Sequence, residues 1–193
     1  AFIRLDCFGL QYDEVLFAIV PRIGDDSSFI HQRLFKIPIL HIPYLGTTNA
    51  SFFLPLLLII YPSVWLIRLP MIILPAISLY FFFEAIRTLF GKNIAMYSGL
   101  LLSLNPDFVF LTTYDVGPNA LEFFLRSFSF YQLVKYTKNQ KIIYISLFAI
   151  SSIIGIYNKF NFIWYLAAIL PIWFLIWGRN LINKKLIILF SIP

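Results

Sequence analysis

The chain has 193 residues, of which 60% are hydrophobic and only 12% charged. A water-soluble domain of this length could not hide so much Phe, Ile and Leu, so the composition excludes a soluble globule and points to an integral membrane protein. The formal charge of +6 would suggest a nucleic-acid partner in a soluble protein, but the bases fall between apolar segments, as in cytoplasmic loops, and nothing supports nucleic-acid binding. A single cysteine, Cys7, excludes an intrachain disulfide and any cysteine-based zinc cluster within this sequence.

Residues 1–49 hold five of the nine acidic residues, both histidines and several Pro and Gly. This predicts an extracytoplasmic loop of short amphipathic helices near the membrane surface. Residues 50–61 are apolar but carry Pro55 and precede Pro62, which suits a short interfacial helix better than a span. Residues 1–62 therefore read as loop and interfacial helices, and 63–193 as about five transmembrane helices plus the start of a sixth. A span needs about 20 mainly apolar residues. The expected spans cover 63–88, with Pro70 and Pro75 inside it; 94–114, bent near Asn105-Pro106; 119–136; 142–157; and 160–177, with a sixth beginning near Leu186. Prolines are tolerated in such helices where neighbours satisfy the freed carbonyls. The first residues are too polar and irregular for a signal peptide. The missing initial Met and the apolar ending are expected of a fragment that lacks a first span and much beyond its end.

Orientation follows from the bases. Arg87 and Lys92 lie in one connection, Lys135, Lys138 and Lys141 in another, and Arg179, Lys184 and Lys185 in a third. These alternate with connections at 114–119 and 158–161, which hold only Lys159. The positive-inside rule puts the three basic loops in the cytoplasm and Asp13, Asp115 and Lys159 on the opposite face.

In so apolar a chain, each ionisable group on that face carries two readings. Asp13 and Glu14 are adjacent carboxylates that repel, so one can keep its proton more tightly and serve as a base; they also suit a solvated helix start. Asp115, in Thr113-Tyr114-Asp115-Val116-Gly117-Pro118, can cap the next helix or meet a ligand at the membrane face. Lys159 is either a phosphate ligand or a lysine snorkelling to headgroups. Arg68, about a turn inside a span, needs a partner, and either holds the acidic loop or binds phosphate. Glu122 and Arg126, four apart, read as a neutralising pair within one helix. Asp107 follows Pro106 and has no assigned role. His31 and His41, ten apart, lack a metal-ligand spacing, so zinc is not expected; no cofactor is expected, and the sequence leaves the metal requirement open.

Several segments together resemble one family. Tyr12-Asp13-Glu14 followed by Phe17-Ala18 is similar to the acidic motif in the first outer loop of GT-C glycosyltransferases, among them the protein O-mannosyltransferases and lipid A aminoarabinose transferases. Ile42-Pro43-Tyr44-Leu45-Gly46-Thr47-Thr48-Asn49-Ala50 resembles the Pro-Tyr-x-Gly stretch closing that loop, and Ile67-Arg68-Leu69-Pro70 the Arg-Leu-Pro opening of the following span. Ser103-Leu104-Asn105-Pro106-Asp107-Phe108 and Tyr114-Asp115-Val116-Gly117-Pro118 resemble a paired signature of bacterial members. Gly155-Ile156-Tyr157-Asn158-Lys159-Phe160 resembles their Gly-rich turn with a Lys, although relatives often carry another pair in place of Tyr157-Asn158.

The resemblance implies an all-α GT-C bundle in a bacterial plasma membrane, acting on the cell envelope with its active face outside the cytoplasm. It implies inverting transfer of a sugar from a polyprenyl-phosphate-linked donor to a glycan, lipid or protein hydroxyl. On the matching positions, Asp13 is the general base or acceptor-orienting group, Glu14 its support and Asp115 the second-loop acid near the reaction centre. Arg68 and Lys159 match positions that hold the loop or the donor phosphate. The residues leave two alternatives: a transporter or flippase for a lipid-linked or anionic substrate, and an assembly subunit of a membrane complex. Against transport stand the concentration of acids in an outer loop and the lack of an internal repeat.

Overall fold

The computed structural model describes residues 32–34, 37–42, 45–48, 51, 63–113 and 118–178. In chain order these form β1 (Gln32–Leu34), β2 (Ile37–Ile42), β3 (Leu45–Gly46), α1 (Val64–Phe90), α2 (Lys92–Ser103), α3 (Pro106–Thr113), α4 (Asn119–Asn139), α5 (Ile142–Asn158) and α6 (Phe162–Trp173), the last continuing into a wider π-helical turn, Phe174–Gly178. The described residues are thus all-α apart from one small β appendage. The helices coincide with the apolar segments to within a few residues. The segment from 179 onward, with the expected sixth span, lies outside the described residues.

One local expectation is corrected. In a stretch where short amphipathic helices were expected, β1, β2 and β3 form a three-stranded antiparallel sheet in the order β1-β2-β3. Its register pairs Arg33 with Pro38 and Leu40 with Gly46, with irregularities in both ladders. The sequence explains this: Ile37-Pro38-Ile39-Leu40-His41-Ile42 combines β-branched residues with a proline that removes a helical donor.

The breaks between helices have local causes. Gly91, at φ 90°, separates α1 from α2. Its N–H still bonds the Arg87 carbonyl at 3.0 Å, and its own carbonyl starts α2 by accepting from Ala95 at 3.2 Å. Only glycine adopts that backbone cheaply. Asn105-Pro106 then turns α2 into α3 through 60°. Pro106 cannot donate to the preceding turn, and the Asn105 side chain accepts the Phe108 N–H at 3.0 Å, capping the new helix. The expected bend lies at that dipeptide. Gln140, in the left-handed region, ends α4 with its N–H on the Tyr136 carbonyl at 2.8 Å.

α4 is the central helix. α1 runs parallel to it, with Ile67, Met71 and Leu74 packed among Ala120, Leu121, Leu125 and Phe162 at one end. Phe81 stacks edge-on against Phe124 and Phe128 farther along. α5 returns antiparallel and α6 runs parallel again, so Tyr165 meets Ser129 and Trp173 meets Thr137.

The distribution of polarity is that of a protein whose solvent is lipid. Large apolar side chains such as Ile73, Ile77, Leu101, Ile153 and Leu175 face outward, while Arg68, Glu122, Ser129, Gln132, Ser152 and Asn158 are buried. In water this would be the reverse. Among the described residues, 67–90 is the one helix long and apolar enough to cross a membrane, with α2–α3 a second if the bent pair counts as one. α5 and α6 are apolar but shorter. α4 carries Glu122, Arg126, Lys135 and Lys138 and is shielded by its neighbours rather than by its own composition.

Candidate site at the α4–α5 junction

Three distant stretches meet at one end of the bundle: the strand β3 with Thr47, the start of α4 at Pro118 to Glu122, and the turn from Gly155 to Phe162. Each contributes a feature that lets the others approach. Gly155 lies under the Phe162 ring, where a Cβ would fall 2.5 Å from a ring carbon. The turn closes through the Lys159 N–H on the Gly155 carbonyl (3.0 Å) and the Phe162 N–H on the Lys159 carbonyl (2.9 Å). Lys159 leaves the helix with extended backbone, φ −154° and ψ 121°. That frees its backbone to bridge antiparallel to Leu45. Next to this bridge, Gly46 approaches so closely that a Cβ would lie 2.1 Å from the Tyr157 carbonyl oxygen. The Thr47 hydroxyl and the Tyr157 phenol share a hydrogen bond at 3.0 Å.

The Lys159 side chain turns inward. Its ammonium donates to Asn119 Oδ1 at 2.9 Å and lies 3.7 Å from Glu122 Oε2. At 16% side-chain exposure it is not spread over the surface, which removes the snorkelling reading. The other Glu122 oxygen, Oε1, accepts from Arg126, as the four-residue spacing predicts. The neutralising pair is therefore the core of a three-residue cluster that joins α4 to the α5–α6 turn. Asn158, wholly buried beside it, donates to the Pro118 carbonyl at a long 3.5 Å, and its Oδ1 has no hydrogen-bond partner.

Arg68 sits at the same end of the bundle. It is 1% exposed, between Ile67, which packs in the core with Ala120, Leu121 and Phe162, and Leu69, which faces outward. Its burial agrees with a guanidinium held by partners rather than by water. Asp13, Glu14 and Asp115, expected to be catalytic, lie outside the described residues, as does His31. Asp107 is exposed in the first turn of α3. Among the described residues no group of three or more His, Cys, Asp or Glu side chains could hold a metal ion.

Sequence reasoning missed Asn119, Thr47 and Tyr157. The only sequence signal for Asn119 is its place one turn before Glu122, so both can face the same incoming cation. Thr47 and Tyr157 are 110 residues apart and carry no local signal of their pairing.

Chemically the junction offers one ammonium in a shielded site, oriented by an amide and a carboxylate and backed by a second base. A fixed cation at a low-dielectric boundary suits the stabilisation of an anionic oxygen. No curated protein and no solved structure matches the chain. A family model described as dolichyl-phosphate-mannose-protein mannosyltransferase matches residues 49–192. The match runs through all six helices and takes in Asn119, Glu122, Arg126 and Lys159, beginning just after β3 and Thr47, and the chain accordingly belongs to this family of membrane-integral GT-C glycosyltransferases.

Proposed function

We propose that the chain is part of a multi-pass enzyme that transfers a sugar, with inversion, from a polyprenyl-phosphate-linked donor to a hydroxyl of an extracytoplasmic glycan, lipid or protein. The family description names a dolichyl-phosphate mannose donor, and a polyprenyl phosphate carries the same leaving group. The observation that carries the reading is the inward-turned Lys159, held by Asn119 and Glu122. It lies at the end of the bundle opposite Arg87, Lys92, Lys138 and Lys141. By the positive-inside rule those bases mark the cytoplasmic side, and Lys159 the other.

In this reading the acceptor oxygen attacks the anomeric carbon from the face opposite the phosphate. The bond from that carbon to the phosphate oxygen breaks, and its electron pair leaves on the lipid phosphate. The hydroxyl proton passes to the Asp13 carboxylate, with Glu14 supporting it and Asp115 close to the reaction centre. Lys159 and Arg68 stabilise the charge that grows on the phosphate. The phosphate is already a good leaving group, so no general acid is required.

The test uses the full-length protein in lipid with a panel of polyprenyl-phosphate sugars, following release of free polyprenyl phosphate. Wild type should release it from one donor, and Asp13→Asn should slow release by about 100-fold or more while inserting normally. Undiminished release by Asp13→Asn would remove Asp13 from its role. No release from any donor, with folded protein and acceptors supplied, would favour a transporter.

A further inference from the structure

Glu122 poses a problem for any anion held by Lys159. A carboxylate 3.7 Å from the ammonium offsets its charge, and in a shielded site that offset is large. The geometry contains its own remedy. Glu122 presents its two oxygens to two different bases: Oε1 to Arg126 on its own helix, and Oε2 to Lys159 from the next turn of chain. Among the described residues of the cluster, two bases and one acid leave a single net positive charge.

We propose that Glu122 and Arg126 are a positioning pair for Lys159. Glu122 fixes the ammonium, and Arg126 cancels the carboxylate so that the cluster stays cationic toward the phosphate of a lipid-linked donor. The proposal rests on the functional reading above and adds two residues to it. Neither touches the phosphate; both act through Lys159.

The surroundings fit a pair built to stay in place. Glu122 is buried, and its N–H is bonded to the Pro118 carbonyl at 3.2 Å. Ser129 donates to the Arg126 carbonyl at 2.9 Å and accepts from the Tyr165 hydroxyl of α6 at 3.0 Å, which also lies 3.2 Å from that carbonyl. The helical turn that carries the pair is thus pinned to α6, and the turn that carries Lys159 leads directly into α6. An ion pair serving only the stability of α4 would need neither the third charge nor this pinning.

The experiment measures equilibrium binding of a polyprenyl phosphate to full-length protein in nanodiscs. Arg126→Gln should weaken binding about tenfold, since it leaves Glu122 free to neutralise Lys159. Arg126→Lys should restore most of the affinity. The double variant Glu122→Gln/Arg126→Gln should bind better than Arg126→Gln alone, because it restores the net charge and leaves an amide oxygen for Lys159. A pair that served only the fold would show that rescue in thermal stability and not in the affinity of the folded protein, so both are measured. If Lys159→Ala weakens binding but the double variant binds no better than the single one, the positioning role is overturned and the functional reading stands. If Lys159→Ala leaves binding unchanged, the functional reading fails at Lys159 and the positioning role with it.

Discussion

At the start of α4, Glu122 ties its own helix to the α5–α6 turn; near the end of α1, Glu84 pairs, among the described residues, within its own helix. The two carboxylates look alike in the sequence, each followed by an arginine within one helical turn. Glu84 accepts from Arg87 at 2.6 Å, three residues on, and Arg87 is 52% exposed. Glu122 accepts from Arg126 and also faces Lys159 across the α4–α5 junction. A pair whose arginine is open to solvent is partly screened and contributes little, whereas a cluster that joins separate elements through a buried carboxylate responds more strongly to losing a member. A charge pair on a membrane helix is therefore informative only once its third neighbour is known.

The packing beneath the junction gives the largest expected effect. Phe162 is completely buried under Gly155 and against Ile67 and Ala120. Phe162→Ala should cost about 3–5 kcal/mol in stability, read as a lowered thermal midpoint of full-length protein in detergent. A cost below about 1 kcal/mol would mean that the turn is not fixed by this packing.

Gly46→Ala comes next. The new methyl meets a backbone carbonyl, which cannot swing away like a side chain, so β3 must separate from Tyr157 and Lys159. About 1–3 kcal/mol is expected, with faster proteolysis around residues 45–48 than in wild type. Unchanged proteolysis would show that the strand is held by something other than this close approach.

Glu84→Gln should do least. A change below about 1 kcal/mol, with polyprenyl phosphate binding unaltered, is expected for a partly exposed pair within one helix. Weakened binding on Glu84→Gln would erase the distinction between the two ends and argue that charge anywhere in the bundle affects the donor.

Much of the fold was legible because hydropathy is a local quantity. The segments at 63–88, 119–136 and 142–157 match α1, α4 and α5 closely; α1 and α5 need only their own runs of Leu, Ile and Phe, whereas α4, with four charged residues, also relies on its neighbours. The bend at Asn105-Pro106 was legible for the same reason: the missing proline N–H and the asparagine cap are both properties of adjacent residues. The sheet at 32–46 was not, because polar, histidine-bearing and proline-bearing stretches near a membrane fit a strand as readily as an amphipathic helix. Of the site, Lys159 and Arg68 stood out from the rarity of charge in an apolar chain.

Composition and order alone therefore pointed to a membrane-integral helical chain with its bases between apolar segments and a handful of ionisable residues worth explaining. Lipid solvation acts on each segment separately, and so it is written into each segment's residues. Which way Lys159 points was decided by packing. Its ammonium reaches Asn119, 40 residues earlier, only because Gly155 admits Phe162 and α5 runs back along α4. Likewise Gly46 reads as an ordinary loop glycine until Tyr157, more than a hundred residues later, is brought against it. Contacts of that range depend on how helices cross, and helix crossing is set by the whole interdigitated surface rather than by any run of neighbouring residues.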